Sequence, residues 1–254
     1  MKFFFLLFSL FATGFFLGCS GSDRFTKKET EVKKEKILVP NEESFSNKVR
    51  LLIEEGINKK EILIGSKCFL FDEDKKIEII NAGETLEFSS SNQILSLNYN
   101  NNFYSSEVFR LLPIDSTEFI ICNEIILRGE LKIIGKSDSI MIINSLDLES
   151  YIKGIIPREM PLGKGKENYE ALKAFAICAR TYSLQQLNSK KYFDLYIDVR
   201  DQVYGGVDSE KPISNQVTDE TKNLILTYEG NPAKVFYHST CGGKTEDVKN
   251  IFGI

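Results

Sequence analysis

The alternation of apolar and polar residues between positions 49 and 145 predicts short β-strands separated by turns. Eight runs there have the length and the β-branched content of strands. They are Val49–Ile53, Glu61–Gly65, Ile77–Ile80, Ile94–Leu97, Phe119–Cys122, Ile125–Leu127, Leu131–Ile134 and Ile140–Ile143. Turn-forming clusters separate them at residues 54–56, 72–74, 98–102 and 136–138. The pattern predicts a mostly antiparallel β-region. No nucleophile and base lie together in it, so we interpret it as a scaffold or a glycan-binding surface.

The period changes to that of a helix after residue 146. Apolar side chains recur at i, i+3, i+4 and i+7, at Leu148, Tyr151, Ile152 and Ile155. Asp147 and Glu149 add negative charge to the first turn, where the helix dipole favours it. Pro157 is expected to end this helix. The pattern leaves Glu159 between Pro157 and Pro161 amid apolar neighbours.

A second and longer helix is predicted from about Glu167 to Asn188. One of its faces carries Leu172, Phe175, Ala176, Ala179 and Tyr182. Arg180 lies beside that face, where burial of an unpaired guanidinium is costly, so we expect it to pair with a carboxylate, for which Glu159 is a candidate. Residues 224–240 then predict a β-hairpin that carries His238. The fold class predicted is α+β, with an antiparallel β-rich N-terminal region followed by a mixed helix and hairpin domain.

The N-terminus has the pattern of an export signal. The apolar run Phe3–Leu17 follows a basic residue and is shorter than the roughly 20 residues of a membrane-spanning helix. It ends in a small residue followed by Cys19, which resembles a bacterial lipobox. We therefore expect residues 1–18 to be a lipoprotein signal peptide and Cys19 to be lipidated. A plain secretory peptide cleaved near Gly18 or Gly21 is the alternative.

The composition restricts the chemistry. A net charge of -4 argues against nucleic-acid binding, because no excess of basic residues displaces phosphate counterions. The single histidine, His238, excludes zinc sites that need two or three His ligands, and we expect neither a metal nor a cofactor. Residues 19–47, rich in Ser, Thr, Lys and Glu, predict a charged flexible tether.

Four cysteines remain once Cys19 is set aside, and they are Cys68, Cys122, Cys178 and Cys241. In an exported chain they allow three disulfide pairings, between which their spacing does not distinguish. Cys122 and Cys178 lie in apolar runs, which favours buried and unreactive thiols.

Four motifs stand in sequence between residues 151 and 246. They are Tyr-Ile-Lys-Gly-Ile-Ile-Pro-Arg-Glu-Met-Pro at 151–161, the Ala-rich helix ending Ala-Arg-Thr-Tyr at 182, Gln-Val-Tyr-Gly-Gly at 202–206 and Tyr-His-Ser-Thr-Cys-Gly-Gly-Lys-Thr-Glu at 237–246. In this order they resemble the SpoIID/LytB family, which comprises stage II sporulation protein D and the amidase enhancer. The resemblance makes residues 146–254 the core of such a domain and 48–145 its β-rich N-terminal part. Members usually continue beyond the position of Ile254, so a C-terminal truncation of the core stays open.

The resemblance implies a peptidoglycan lytic transglycosylase, and the N-terminal pattern adds the expectation that the protein is exported and held at the cell envelope by lipid on Cys19. Glu159 falls on the position of the family's catalytic glutamate. Six residues fall on positions expected to bind the glycan strand, and they are Arg180, Tyr182, Gln202, Tyr204, His238 and Ser239. One carboxyl group suffices for this reaction, because the 6-hydroxyl of the muramyl residue is the nucleophile and the same glutamate acts as acid and then as base. The alternative is a non-catalytic cell-wall binding protein that enhances a peptidoglycan amidase.

Overall fold

The computed structural model describes residues 48–238 together with residues 243, 244, 246, 247, 249 and 250. Twelve strands come first along this part of the chain. They are β1 (Lys48–Ile57), β2 (Lys59–Leu63), β3 (Cys68–Asp72), β4 (Lys75–Ile80), β5 (Thr85–Ser91), β6 (Ile94–Tyr99), β7 (Asn102–Ser106), β8 (Val108–Pro113), β9 (Phe119–Cys122), β10 (Ile125–Arg128), β11 (Glu130–Lys136) and β12 (Ser139–Asp147).

Helices and three very short strands follow. They are α1 (Leu148–Glu159), α2 (Tyr169–Gln186), β13 (Leu195–Tyr196), α3 (Gly206–Ser209), α4 (Pro212–Glu220), β14 (Thr227–Tyr228) and β15 (Asn231–Pro232). Within the described residues no helix has the length and apolar content needed to cross a membrane. The α+β prediction is confirmed.

The strands form two large sheets and one small pair. The first sheet has the order β13-β1-β12-β11-β8-β3-β4 and the second has the order β10-β9-β2-β5-β6-β7, while β14 pairs with β15. All neighbours are antiparallel except β13, which runs parallel to β1 and joins the later part of the chain to the first sheet.

The core is aliphatic and aromatic, and it lies where the two sheets meet. Inward positions of both sheets, such as Phe88 on β5 and Phe109 on β8, are fully buried, and these two rings have centroids 5.7 Å apart. The same cluster continues into α1 and α2 through Ile155 and Leu172. Each buried side chain of this size stabilises the fold by about 1.5–3 kcal/mol, so the helices rest on the same core as the sheets.

Local sequence explains where α1 begins, and packing explains why α1 continues past Pro157. The Asp147 carboxylate caps the helix by accepting from the backbone N–H groups of Glu149 and Ser150. The prediction that Pro157 ends this helix is wrong, because α1 continues to Glu159 with Pro157 inside it. A proline there removes one helical hydrogen bond. Burial of Gly154, Ile155 and Ile156 in the preceding turn holds the helix in register.

All eight predicted runs overlap strands, and four further strands, β3, β5, β7 and β8, lay outside the prediction. The turn predicted at residues 54–56 is also wrong. These residues lie inside β1, where two register shifts against β12 accommodate Gly56 with its φ of +83°. The predicted hairpin after residue 224 is present only as the two-residue strands β14 and β15, and His238 lies outside them.

Candidate functional site

Glu159 lies in the last turn of α1 and is half-buried. Its Oε1 accepts a hydrogen bond of 2.5 Å from the backbone N–H of Val203. Because the helix is fixed by buried residues such as Ile152 and Ile155, the carboxyl group is held at one position relative to the 202–204 segment. The N–H donor fixes Oε1 and thereby the orientation of the carboxyl group at the end of α1.

The segment that meets Glu159 alternates between inward and outward positions. Gln202 is fully buried, Val203 is half-buried and Tyr204 is 4% exposed. The side-chain Oε1 of Gln202 accepts hydrogen bonds from the hydroxyls of Tyr151 (3.1 Å) and Ser183 (3.0 Å). The buried Gln202 side chain therefore joins α1, α2 and this segment, and its role in binding the glycan strand stays a prediction.

Tyr204 packs against α1 at a glycine. A Cβ atom on Gly154 would lie 2.4 Å from a ring carbon of Tyr204, so only glycine allows the two elements to approach this closely. The Tyr204 ring also lies beside that of Tyr151, with centroids 5.5 Å apart. Burial raises the pKa of the Tyr204 hydroxyl. Tyr204 thus supports the position of Glu159 from behind the site.

Three aromatic side chains form a cluster on the outer side of Gln202. The Tyr237 ring meets Phe175 and Tyr182 edge to face, with centroids 5.2 and 6.2 Å apart. The Tyr237 hydroxyl is buried and makes no well-formed hydrogen bond with the described residues, although the Gln202 amide is close enough to lower its pKa. Burial raises that pKa more strongly, and the charge of Glu159 adds to the rise. Tyr237 is therefore a neutral hydroxyl in the electrostatic field of the Glu159 carboxylate.

A second carboxylate, Asp201, escaped the sequence analysis as a site residue. Its Oδ1 accepts a hydrogen bond of 2.6 Å from the Tyr182 hydroxyl, and its Oδ2 accepts one of 2.8 Å from the backbone N–H of Tyr196. Burial raises the pKa of Tyr182, and the hydrogen bond to Asp201 adds to this. No spacing rule links residues 182 and 201, because the loop between them sets their distance.

Arg180 is buried, and its carboxylate partner is Glu149. Its side chain is 1% exposed and donates two hydrogen bonds to the Glu149 carboxylate, at 2.8 and 2.7 Å, and one of 2.9 Å to the Leu224 carbonyl. The expected carboxylate partner exists, but it comes from the first turn of α1 and not from Glu159 in the last. Arg180 therefore joins α1, α2 and the 224 segment.

The other predicted residues divide into exposed and undescribed ones. His238 is exposed. Ser239, Cys241, the signal peptide and Cys19 lie outside the described residues, as does the tether at residues 19–47. In the described part of the chain, no group of three or more His, Cys, Asp or Glu side chains is arranged to hold a metal ion.

Three of the cysteines are described, and all three are free thiols. Cys68 and Cys122 are buried and Cys178 is half-buried. Burial raises the pKa of Cys122 to about 11, so this thiol stays protonated at neutral pH, as its apolar surroundings predicted.

Comparison with known proteins matches the region that contains this site. The family model for SpoIID, described as Stage II sporulation protein, matches residues 136–228. An uncharacterized protein of Brachyspira hyodysenteriae is 34% identical over 135 residues, which is 52% of this chain and 36% of the relative. The amidase enhancer of Bacillus subtilis (strain 168) is 36% identical over 101 residues, which is 40% of this chain and 13% of the relative.

The matched part is a minority of each relative's length. The chain spans 36% of the first and 13% of the second. No solved structure matches the chain. The matched residues include Glu159, Asp201 and the buried supports of the site, whereas the family match ends before Tyr237.

Proposed function

We propose that this chain acts on the bacterial cell wall as a peptidoglycan lytic transglycosylase, and the match of residues 136–228 to the SpoIID family model supports the proposal. The observation that carries this proposal is the orientation of Glu159. The carboxyl group is half-buried at a helix end and is held through Oε1 by the Val203 N–H. A group fixed in this way suits a reaction in which one carboxyl group must first donate a proton and then accept one.

The reaction needs no second carboxylate. Glu159 protonates the glycosidic oxygen as the bond to the muramyl C1 breaks. The resulting carboxylate then removes the proton of the muramyl 6-hydroxyl, whose oxygen bonds to C1 and closes a 1,6-anhydro ring. Glu159 ends in the protonated state in which it began, so the proton balance closes without water. Tyr182 and Tyr237 are only partly buried, and their rings offer apolar surface on which a sugar ring can stack.

The decisive substitution is Glu159→Gln. Glutamine keeps the volume and its carbonyl still accepts from Val203 N–H, but it has no proton to donate to the leaving oxygen. Loss of general acid catalysis costs on the order of 10²–10⁴ in rate. Peptide-free glycan strands treated with the variant should release correspondingly fewer 1,6-anhydromuramyl ends, counted by mass spectrometry, while the thermal midpoint stays unchanged.

The matched control is Glu170→Gln on α2, whose side chain is 82% exposed. It should release ends at the wild-type rate. Equal release by Glu159→Gln and wild type would remove Glu159 from the reaction. A collapse of the thermal midpoint in Glu159→Gln alone would instead assign the carboxylate a structural role through Val203.

A second candidate function is enhancement of a peptidoglycan amidase without catalysis by this chain. The relative that favours it is named an amidase enhancer, and it shares 36% identity over 101 residues. On this function the purified chain releases no anhydro ends but accelerates a cell-wall amidase. Glu159→Gln then stimulates the amidase as well as wild type does, because no proton transfer by Glu159 is involved.

We also propose that the chain is exported and anchored in a membrane by lipid on Cys19. The support is the sequence pattern alone, an apolar run ending at a small residue and a cysteine. Cys19→Ala removes the acylation site and should shift the protein from the membrane fraction to the soluble exported fraction. Continued membrane association of this variant would point to an uncleaved N-terminal helix.

A further inference from the structure

Asp201 is a second acidic side chain near the segment that binds Glu159, because it directly precedes Gln202 and Val203 in the chain. Both Glu159 and Asp201 are among the negative charges that act on the hydroxyls of Tyr151 and Tyr237, in each case after the larger effect of burial. In a glycoside hydrolase, a second carboxylate near the catalytic acid activates a water molecule or attacks the sugar. The Asp201 carboxylate could therefore act in the reaction or serve the structure, and its contacts distinguish these roles.

The contacts of Asp201 argue against a role in activating water. One of its oxygens accepts from the Tyr182 hydroxyl at 2.6 Å and the other from the Tyr196 backbone at 2.8 Å. Tyr196 belongs to β13, which is paired with β1 of the first sheet, so Asp201 is tied to the rigid part of the fold. A general base needs an oxygen that reaches a water or a substrate proton, and both Asp201 oxygens already accept one hydrogen bond within the protein, so fewer of their lone pairs remain for that role.

The same contacts give Asp201 a role in placing an aromatic ring. Tyr182 lies on α2, and its ring meets the Tyr237 ring edge to face. Tyr237 also meets the ring of Phe175, which lies about two helical turns before Tyr182 on α2. The Asp201 hydrogen bond fixes the outer end of the Tyr182 side chain, and the helix fixes the inner end. The Tyr182 ring is thus held at both ends beside Tyr237.

We propose that Asp201 is a positioning residue that acts through Tyr182 to hold the Tyr182–Tyr237 pair next to the 202–204 segment that binds Glu159, and that it takes no proton during the reaction. This inference rests on the proposed transglycosylase function. It adds to that function a reason why two nearby carboxylates do not make the site hydrolytic. One is oriented for chemistry, and the other is occupied by a tyrosine hydroxyl and a backbone amide.

The test compares Asp201→Asn, Tyr182→Phe and the double variant in kcat and KM for the release of 1,6-anhydro ends. Asparagine keeps the bond to the Tyr196 N–H and turns the Tyr182 bond round, so that the amide donates to the phenol oxygen. Phenylalanine removes the bond altogether. If Asp201 acts through Tyr182, both single variants should lose kcat by similar factors of up to about 100, and the double variant should lose no more than the worse single one. All products should remain anhydro ends.

The matched control is Tyr99→Phe. Tyr99 donates to the Glu84 carboxylate at 2.5 Å in the sheet region, so the substitution removes the same kind of hydrogen bond away from Glu159. It should leave kcat at the wild-type value. A thermal scan of each variant separates a change in kcat from a loss of folded protein.

Three results would overturn the inference. The first is a loss of 10²–10⁴ in Asp201→Asn with little loss in Tyr182→Phe, which is the pattern of a general base. The second is multiplication of the two losses in the double variant. The third is a fully active Tyr182→Phe, which decides the matter even if Asp201→Asn does not fold. An inactive wild type would instead overturn the proposed function, and the inference with it.

Discussion

The two sheets and the helical segment after them bury different kinds of side chain. In strands β1 to β12 the core is apolar, and the buried polar side chains among the described residues are Ser66, Ser106 and Asn144. From α1 onward the buried polar side chains are Arg180, Thr181, Ser183, Asp194, Gln202, Ser214, Thr218 and Thr221. The sheet region thus gains stability from apolar burial, which has no required direction. The helical segment adds directed polar contacts to its own apolar burial, and these contacts fix where side chains point.

That difference bears on function. An apolar core holds elements together without orienting any one group, whereas a chain of hydrogen bonds such as Tyr151–Gln202–Ser183 allows few arrangements. The polar contacts lie beside the segment that meets Glu159. On the function proposed above, these polar contacts serve to hold the Glu159 carboxyl group in one orientation.

Replacing Arg180 should give the largest difference in stability between the helical segment and the sheet region. Arg180→Met leaves the Glu149 carboxylate, 13% exposed, without its buried cation. Removing one partner of a buried ion pair costs about 3–5 kcal/mol in the free energy of unfolding. The matched substitution in the sheet region is Arg110→Met, which breaks a half-buried pair with Glu130 and should cost about 1 kcal/mol or less. Urea denaturation of both variants measures the difference. Equal costs would show that the two regions do not differ in their dependence on polar contacts.

A smaller effect is expected from Gly154→Ala in α1. The added Cβ would lie 2.4 Å from the Tyr204 ring, and overpacking of this kind costs about 1–3 kcal/mol. Alanine in an isolated helix would stabilise it by about 1 kcal/mol, so the expected sign is set by the tertiary contact.

Tyr204→Leu provides the control for that contact. If the clash is with the Tyr204 ring, the double variant should be less destabilised than the sum of the two single variants, measured by denaturation. Additive losses would place the strain elsewhere along α1.

The smallest effect concerns the tyrosine–carboxylate pair of the sheet region. The hydrogen bond from Tyr99 lowers the pKa of Glu84, with help from the Asn81 backbone N–H. A carboxyl group with a lowered folded pKa stabilises the fold above its unfolded pKa of about 4.3, and that contribution is lost as the pH falls through the folded value. The loss of thermal midpoint caused by Tyr99→Phe should therefore be larger at pH 7 than at pH 3. A loss that does not vary with pH would show that the Glu84 charge plays no part.

Much of this molecule follows from short-range pattern. Alternation in the β-region, the apolar period from Leu148 to Ile155 and the negative charge of Asp147 and Glu149 at the helix start are properties of neighbouring residues, and the strands and the helix they predict are present in the structure. The motif around Glu159 likewise marked this residue from sequence alone, and the structure holds its carboxyl group against Val203. Local periodicity and capping act over a few residues, so they can be read before the fold is known.

Only the tertiary structure decided the partners. The sequence predicted a carboxylate partner for Arg180, but the 2.7 Å ion pair that Arg180 forms is with Glu149 at the start of α1 and not with Glu159 at its end. Gln202 belongs to a motif, yet its side chain is fully buried. Asp201 belongs to none of the four motifs, yet it accepts a hydrogen bond from Tyr182. The physical reason is the same in each case. A buried charge or amide in a sequence indicates only that it needs a hydrogen-bonding partner. Which residue becomes that partner depends on the packing of the helices on the sheets, because this packing brings together segments that are distant in the chain.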